Sequence, residues 1–246
     1  MAFDNTNYVL LTRQNGLFRK VEVLSNNVAN ANTPGFKSEK VVFDKYLHNA
    51  THNNIISFSQ DVASVVKLHR AGQYTKTENT LDVAVKGRGF YFRVNTPMGE
   101  RFTRAGNFTL NATGQIVTSQ GYPVLNNGGE AITLNLEEMK LEDIVIREDG
   151  SVTFREEQLG QLGIAYFENE HLLEKVGNNL YEALVPPTPN ETYAVYQGML
   201  ELSNVDSITE MTSLVDAQND VRTLANLVNS LDDMEKNAIK VFGKQQ

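Results

Sequence analysis

The 246-residue chain has no cysteine. That absence excludes disulfides, thiolate metal sites and cysteine nucleophiles together. It leaves the compartment open, because a protein exported by another route can also dispense with thiols. No run of about 18 apolar residues occurs, so no helix is expected to span a bilayer and no membrane insertion is expected. The opening MAFDNTNYVLLTRQNG lacks a basic region followed by an apolar stretch, so it does not read as a cleavable secretory signal. Basic residues are the minority, 22 against 30 acidic, giving a net charge of −8 and a pI near 5.1. A nucleic-acid ligand needs a basic stripe to displace counterions, and none is present.

Catalytic patterns are equally scarce. His48 and His52 are four apart, but no H-E-x-x-H pattern surrounds them and no cysteine completes a ligand set, so solvated loop histidines are expected. Gly87-Arg88-Gly89 has Phe92 where a phosphate loop of the G-x-G-x-x-G type needs its third glycine, so it reads as a turn at a strand edge. Leu141-Glu142-Asp143 and Arg147-Glu148-Asp149-Gly150 supply carboxylates, yet nothing fixes two of them about 5–9 Å apart as glycoside hydrolysis requires. No cofactor, no metal and no enzymatic activity are expected.

What the chain does contain falls into three textures. In residues 1–33, Phe3, Leu10, Leu17, Leu24 and Ala31 recur every seven, with Val21 and Val28 four after Leu17 and Leu24. This heptad seam predicts a helix, with Leu11 and Phe18 widening its apolar face. Thr33-Pro34-Gly35 predicts its end. In the C-terminal segment, Ser207-Ile208-Thr209-Glu210 fits a capping box, and Leu214, Ala217, Val221, Leu224, Val228 and Leu231 follow at spacings of three and four. Residues 81–198 instead hold short alternating runs, including Leu81–Val85, Gly89–Val94, Glu100–Arg104, Ser151–Arg155, Gly163–Phe167 and Leu180–Ala183, divided by Gly- and Pro-containing turns.

The expected layout is an assembly helix at 1–36, an extended linker at 37–80, a central β domain at 81–198 and a second assembly helix at 199–246. The fold class is α+β. The long N- and C-terminal helices are expected to pair as a coiled-coil-like stalk around a central, mostly antiparallel β domain. Charge leans the same way: residues 1–37 carry four basic and two acidic groups, and residues 205–246 carry four basic and seven acidic. For exposed pairs this complement is worth little.

Three ordered segments resemble the bacterial flagellar rod and hook proteins. Leu24-Ser25-Asn26-Asn27-Val28-Ala29-Asn30-Ala31-Asn32-Thr33-Pro34-Gly35-Phe36-Lys37 is similar to that family's N-terminal signature. Leu81-Asp82-Val83-Ala84-Val85-Lys86-Gly87-Arg88-Gly89-Phe90, with Phe102-Thr103-Arg104-Ala105-Gly106-Asn107-Phe108, resembles its central domain. Gln197-Gly198-Met199-Leu200-Glu201-Leu202-Ser203-Asn204-Val205 resembles its C-terminal signature, departing where Leu202 replaces a usual glycine. The resemblance implies a structural subunit of the basal-body rod that self-assembles with copies of itself and with other rod and hook-basal-body proteins. It also implies export through the flagellar type III apparatus to a periplasm-spanning rod. Length, Thr33-Pro34 and a modest β domain most resemble proximal rod members. Distal rod and hook subunits are the alternatives, and a coiled-coil-tethered surface-binding module is a more distant one.

Four asparagines beside one apolar stripe call for partners, because the amide competes with the helix backbone for hydrogen bonds. Asn26, Asn27 and Asn30 are expected to bond across subunits or across the linker turn. The expected subunit-packing set is Leu10, Leu17, Val21, Leu24, Asn26, Asn27, Val28 and Asn30 in the first helix, and Leu214, Val221, Leu224, Val228 and Leu231 in the second.

Overall fold

The computed structural model describes residues 2–48, 58–67, 70–134, 141–155, 157–190 and 192–242. The chain divides into two compact units. One comprises Met1–Ala29, Glu39–Leu68 and Asp206–Gln246, and the other Asn30–Ser38 and His69–Val205.

The first unit holds α1 (Ala2–Ala29), strands β1 (Glu39–His48) and β2 (Phe58–Lys67), and α2 (Ser207–Phe242). β1 and β2 pair antiparallel in unbroken register from Glu39 opposite Lys67 to His48 opposite Phe58. α1 packs against α2 and also against both strands of this hairpin. A helix-interior glycine costs about 1 kcal/mol relative to alanine. Gly16 repays it with space, since a Cβ there would lie 2.7 Å from the Phe43 ring of β1. The Arg13 guanidinium also sits over that ring at 5.4 Å.

These contacts correct the expected stalk. Among the described residues α1 and α2 are the two α-helices, and a long stalk of two paired helices is not what the unit shows. α1 divides its apolar face between α2 and a hairpin that lies in the segment read as linker. The helices are also unequal, 28 residues against 36. α1 stops at Ala29 rather than running to Thr33, and Thr33 then turns back with its N–H on the Asn30 carbonyl at 3.1 Å. The second helix begins at Ser207, within the segment 199–246 read as its assembly helix, and Asp206 caps it instead of Ser207. The Asp206 Oδ1 accepts from the N–H groups of Ile208 at 3.0 Å and Thr209 at 3.2 Å, and the bonds from Thr209 hold its carboxyl below the usual range.

The second unit is the β domain, in order β3 (Tyr74–Lys76), β4 (Val83–Lys86), β5 (Phe90–Thr96), β6 (Gly99–Thr103), β7 (Thr109–Leu110), β8 (Ile116–Val117), β9 (Ile144–Ile146), β10 (Ser151–Phe154), β11 (Glu157–Gln161), β12 (Ile164–Tyr166), β13 (Leu173–Gly177), β14 (Leu180–Ala183), β15 (Ala194–Gln197) and β16 (Met199–Glu201). Its main sheet runs β12-β5-β6-β14-β13, and β11-β10-β9 form a second. Strands alternate their side chains between faces, and β5 buries both. Phe90, Phe92 and Val94 enter one apolar cluster with Val83, Phe108 and Leu162, while Tyr91 enters another with Phe102, Phe167 and Tyr181. A strand buried on both faces reads as a continuous apolar run, which is how Phe90-Tyr91-Phe92 stands in the chain.

Candidate functional site

In the β domain, the segment Thr33–Ser38 is held by its neighbours on every side. The Gly35 N–H donates to the Glu201 carbonyl at 2.7 Å, and the Asn204 N–H to the Phe36 carbonyl at 3.3 Å. The Asn204 side chain accepts from the Ser38 N–H at 2.7 Å and donates to the Arg70 carbonyl at 2.9 Å. From the β13–β14 hairpin, the Asn179 amide donates to the Pro34 carbonyl and the Lys175 ammonium to the Lys37 carbonyl, both at 2.8 Å. Lys175 Nζ also stands 4.1 Å from the centre of the buried Phe36 ring.

Beneath this segment lies a buried ionic cluster. Glu201 accepts from Lys37 Nζ at 2.5 Å, Arg104 Nε at 2.7 Å and the Gly72 N–H at 2.9 Å. All three charged side chains are nearly inaccessible. Two cations against one anion leave a formal surplus of one positive charge, which backbone carbonyls help to offset. Lys37 also donates to the Arg70 carbonyl at 3.1 Å, and Arg104 to the Phe90 carbonyl and, at 2.7 Å, to that of Gly87. Burial lowers the Lys37 pKa, the Glu201 carboxylate raises it in part, and nearby Arg104 lowers it further. The cluster fixes the geometry of the segment. Nothing in the sequence pointed to it, because Lys37, Arg104 and Glu201 lie far apart along the chain.

In the helical unit, Asn27 is fully buried and acts as a one-residue strand partner. Its Nδ2 donates to the Glu39 carbonyl at 2.8 Å and its Oδ1 accepts from the Glu39 N–H at 3.0 Å, seating the first residue of β1. The same Nδ2 reaches Glu210 of α2 at 3.3 Å. The amide thus finds partners within its own chain, across the turn. Asn27→Ala is expected to cost about 2–4 kcal/mol, because several part-buried polar groups lose their partner at once. Asn27→Asp should cost more, since a carboxylate would face both Glu210 and the Glu39 carbonyl. Thermal unfolding of the full chain with both variants checks the order.

The remaining expected packing residues divide by exposure. Leu17 and Leu224 are buried within the unit, while Leu10, Val21, Leu24, Val28, Leu214, Val221 and Leu231 are half-buried. Asn26 and Val228 are exposed. Asn30 falls in the other unit, where its side-chain oxygen accepts from the Thr33 hydroxyl at 3.2 Å. Large apolar side chains outside the expected set are also open to solvent: Leu11 and Phe18 on α1, seven apart, and Ile208, Met211 and Val215 on α2, three and four apart. No group of potential metal ligands and no helix able to cross a membrane occurs among the described residues. His52 and His69 lie outside them.

Two helices with solvent-facing apolar stripes, and a β domain that holds residues 33–38 through a buried ionic cluster, fit a subunit of an assembly. Comparison with known proteins agrees. Residues 8–37 match the flagella basal body rod protein family, 84–154 the D1 domain of the flagellar hook protein FlgE/F/G, and 196–241 the C-terminal region of the flagellar basal body rod FlgEFG protein. The chain is 34% identical over 247 residues to the flagellar basal-body rod protein FlgF of Caulobacter vibrioides, covering 98% of this chain and 99% of that one. It is 32% identical to the FlgG of Bacillus subtilis, covering 87% and 90%, and 33% identical to the FlgF of Rhizobium meliloti, covering 85% of each. The chain belongs to the flagellar basal-body rod protein family and is a structural subunit of the rod. Lys37, Arg104 and Glu201 come one from each of the three matched segments, so the buried cluster ties together the parts by which the family is recognised.

Proposed function

We propose that this subunit takes a proximal rod position and joins copies of itself and other axial proteins through α1 and α2. The observation that carries the reading is the solvent-facing apolar stripe on each helix. Phe18 is 50% exposed, Met211 56% and Ile208 79%, where single-chain folding would favour polar residues. Contiguous exposed apolar surface marks protein contact sites. Asn26 and Val228 are exposed, and the half-buried Leu10, Val21, Leu24, Val28, Leu214, Val221 and Leu231 supply the edges of the helix faces. Leu17, Asn27 and Leu224 hold the helices in the shape that neighbours meet, and Asn30 braces the turn that follows α1. Near-complete mutual coverage with the Caulobacter FlgF supports the proximal position. The role is non-catalytic, and the family resemblance carries with it export through the flagellar type III apparatus to a rod crossing the periplasm.

Phe18→Glu combined with Met211→Glu tests this reading. Both side chains face solvent, so the fold should shift by no more than about 0.5 kcal/mol per site. Incorporation into basal bodies and swimming should be lost in cells whose only copy carries the pair. Normal swimming by the double variant would contradict the assignment.

A further inference from the structure

The β domain carries a cleft of about 730 Å³ along the outer edge of β12, bounded by Ile164, Tyr166, Gln161, Glu148, Pro189 and Tyr193. That volume lies within the roughly 300–1,000 Å³ common for binding clefts. One wall of it is unpaired strand backbone. β12 and β5 are antiparallel, with Ile164 opposite Phe92 and Ala165 opposite Tyr91. The Arg93 N–H donates to the Gly163 carbonyl and the Phe167 N–H to the Gly89 carbonyl, so the hydrogen-bonded pairs fall at residues 163, 165 and 167. The N–H and C=O of Ile164 and Tyr166 therefore point away from β5. At Tyr166 the carbonyl accepts from the Thr188 N–H at 2.8 Å. At Ile164 neither group has a partner among the described residues.

The chain's own next strand residue fails to fill that slot for a visible reason. With Thr188 opposite Tyr166, the register would bring Asn190 opposite Ile164. The Asn190 side chain accepts from the Thr192 N–H at 2.9 Å and the Thr192 hydroxyl at 2.6 Å, which turns the chain off the edge. Among the described residues, the result is an unfilled ladder position at the wall of a cleft.

The geometry points to a docking site for an extended segment of another polypeptide chain, which would pair its backbone with Ile164 and lay a basic side chain toward the rim. The donor–acceptor pair of one extended residue matches that of Ile164, which is how edge strands recruit peptides. The rim sets the charge of the occupant. Glu148 and Asp149 are exposed carboxylates, and the Ser151 hydroxyl and N–H hold the Asp149 carboxyl below its usual range, so it is ionised at neutral pH. The one guanidinium lining the cleft, Arg93, is engaged by Glu100 at 2.5 Å and by the Asn127 carbonyl at 3.0 Å. This inference stands apart from the helix-mediated assembly and does not depend on it.

The test is an NMR titration of the isotope-labelled full chain with the blocked pentapeptides KVTVK and EVTVE. KVTVK should shift the Ile164 amide saturably, and EVTVE should bind at least about tenfold more weakly, with the rim charge setting the preference. Glu148→Lys, on an exposed side chain, leaves Asp149 facing one cation and should abolish that preference. Ile164→Pro removes an N–H that the ladder to β5 does not use and should abolish binding, and because Ile164 also packs against the core, Ile164→Val, which keeps the N–H, serves as the packing control and should still bind KVTVK. Absence of a saturable shift at Ile164, or equal binding of both peptides that Glu148→Lys leaves unchanged, would overturn the proposal. So would saturation of the cleft by an N-acetylglucosamine trimer that neither peptide reproduces, which would make it a saccharide groove.

Discussion

Replacing Glu201 by alanine should cost the β domain about 3–5 kcal/mol, the range for removing one partner of a buried ion pair. For a domain of this size each kcal/mol is worth roughly 2–4 °C, so unfolding should move down by about 10 °C. Charge balance sets the cost. Glu201 is the anion facing both Lys37 and Arg104, and its loss leaves two cations with no water to solvate them. It also leaves the Gly72 N–H without its acceptor. Glu201→Gln keeps an acceptor but not the charge, and should fall between alanine and the native chain. Lys37→Met should cost less than either, because Glu201 and Arg104 still neutralise each other and a lysine whose pKa burial already lowers is removed. Thermal unfolding of the three variants measures the order directly. A Lys37→Met loss larger than that of Glu201→Ala would show that packing, not charge, holds the segment.

Gly35→Ala should be comparably severe for a different reason. Gly35 sits at φ +67, a region that side chains other than glycine's enter only with strain. A Cβ there would also stand 2.4 Å from the backbone carbon of Arg104 and 2.5 Å from its oxygen. That backbone cannot retreat freely, because the Arg104 side chain is bonded to Glu201, Phe90 and Gly87. Strain and overlap together should cost roughly 2–6 kcal/mol, each being worth about 1–3. Gly121→Ala separates the two effects, since Gly121 has φ +86 but open space where its Cβ would go. Gly121→Ala should therefore show only the conformational part, about 1–2 kcal/mol. Equal losses at the two positions, read by thermal unfolding and by hydrogen exchange at Phe36, would remove the close approach to Arg104 from the account.

Much of the β domain was legible because alternation and turn residues act locally. The runs at Gly89–Val94, Ser151–Arg155, Gly163–Phe167 and Leu180–Ala183 all coincide with strands, offset by a residue or so. The start of α2 was legible for the same reason, although the cap falls at Asp206, one residue before the hydroxyl that drew attention. The β1–β2 hairpin was not, since its strands lie in Asn- and Ser-rich surroundings and take their stability from α1 rather than from local pattern. The asparagine run showed that partners were needed but not where they were. Asn27 finds them on Glu39, twelve residues on, and on Glu210, at the start of the other helix. The ionic cluster was wholly hidden. Its three members are ordinary charged residues until the fold buries them beside one another, and no spacing along a chain encodes that.

The central claim is that the apolar stripes of α1 and α2 face neighbouring subunits in the rod. Its most direct test is photo-crosslinking in flagellated cells, with benzoylphenylalanine placed at Phe18 and, separately, at Met211, and a surface position such as Met98 of the β domain as reference. The account predicts covalent adducts of this chain with copies of itself and with other axial proteins at positions 18 and 211, lost when rod assembly is blocked. Uncrosslinked monomer at both helix positions in cells with complete basal bodies would contradict it.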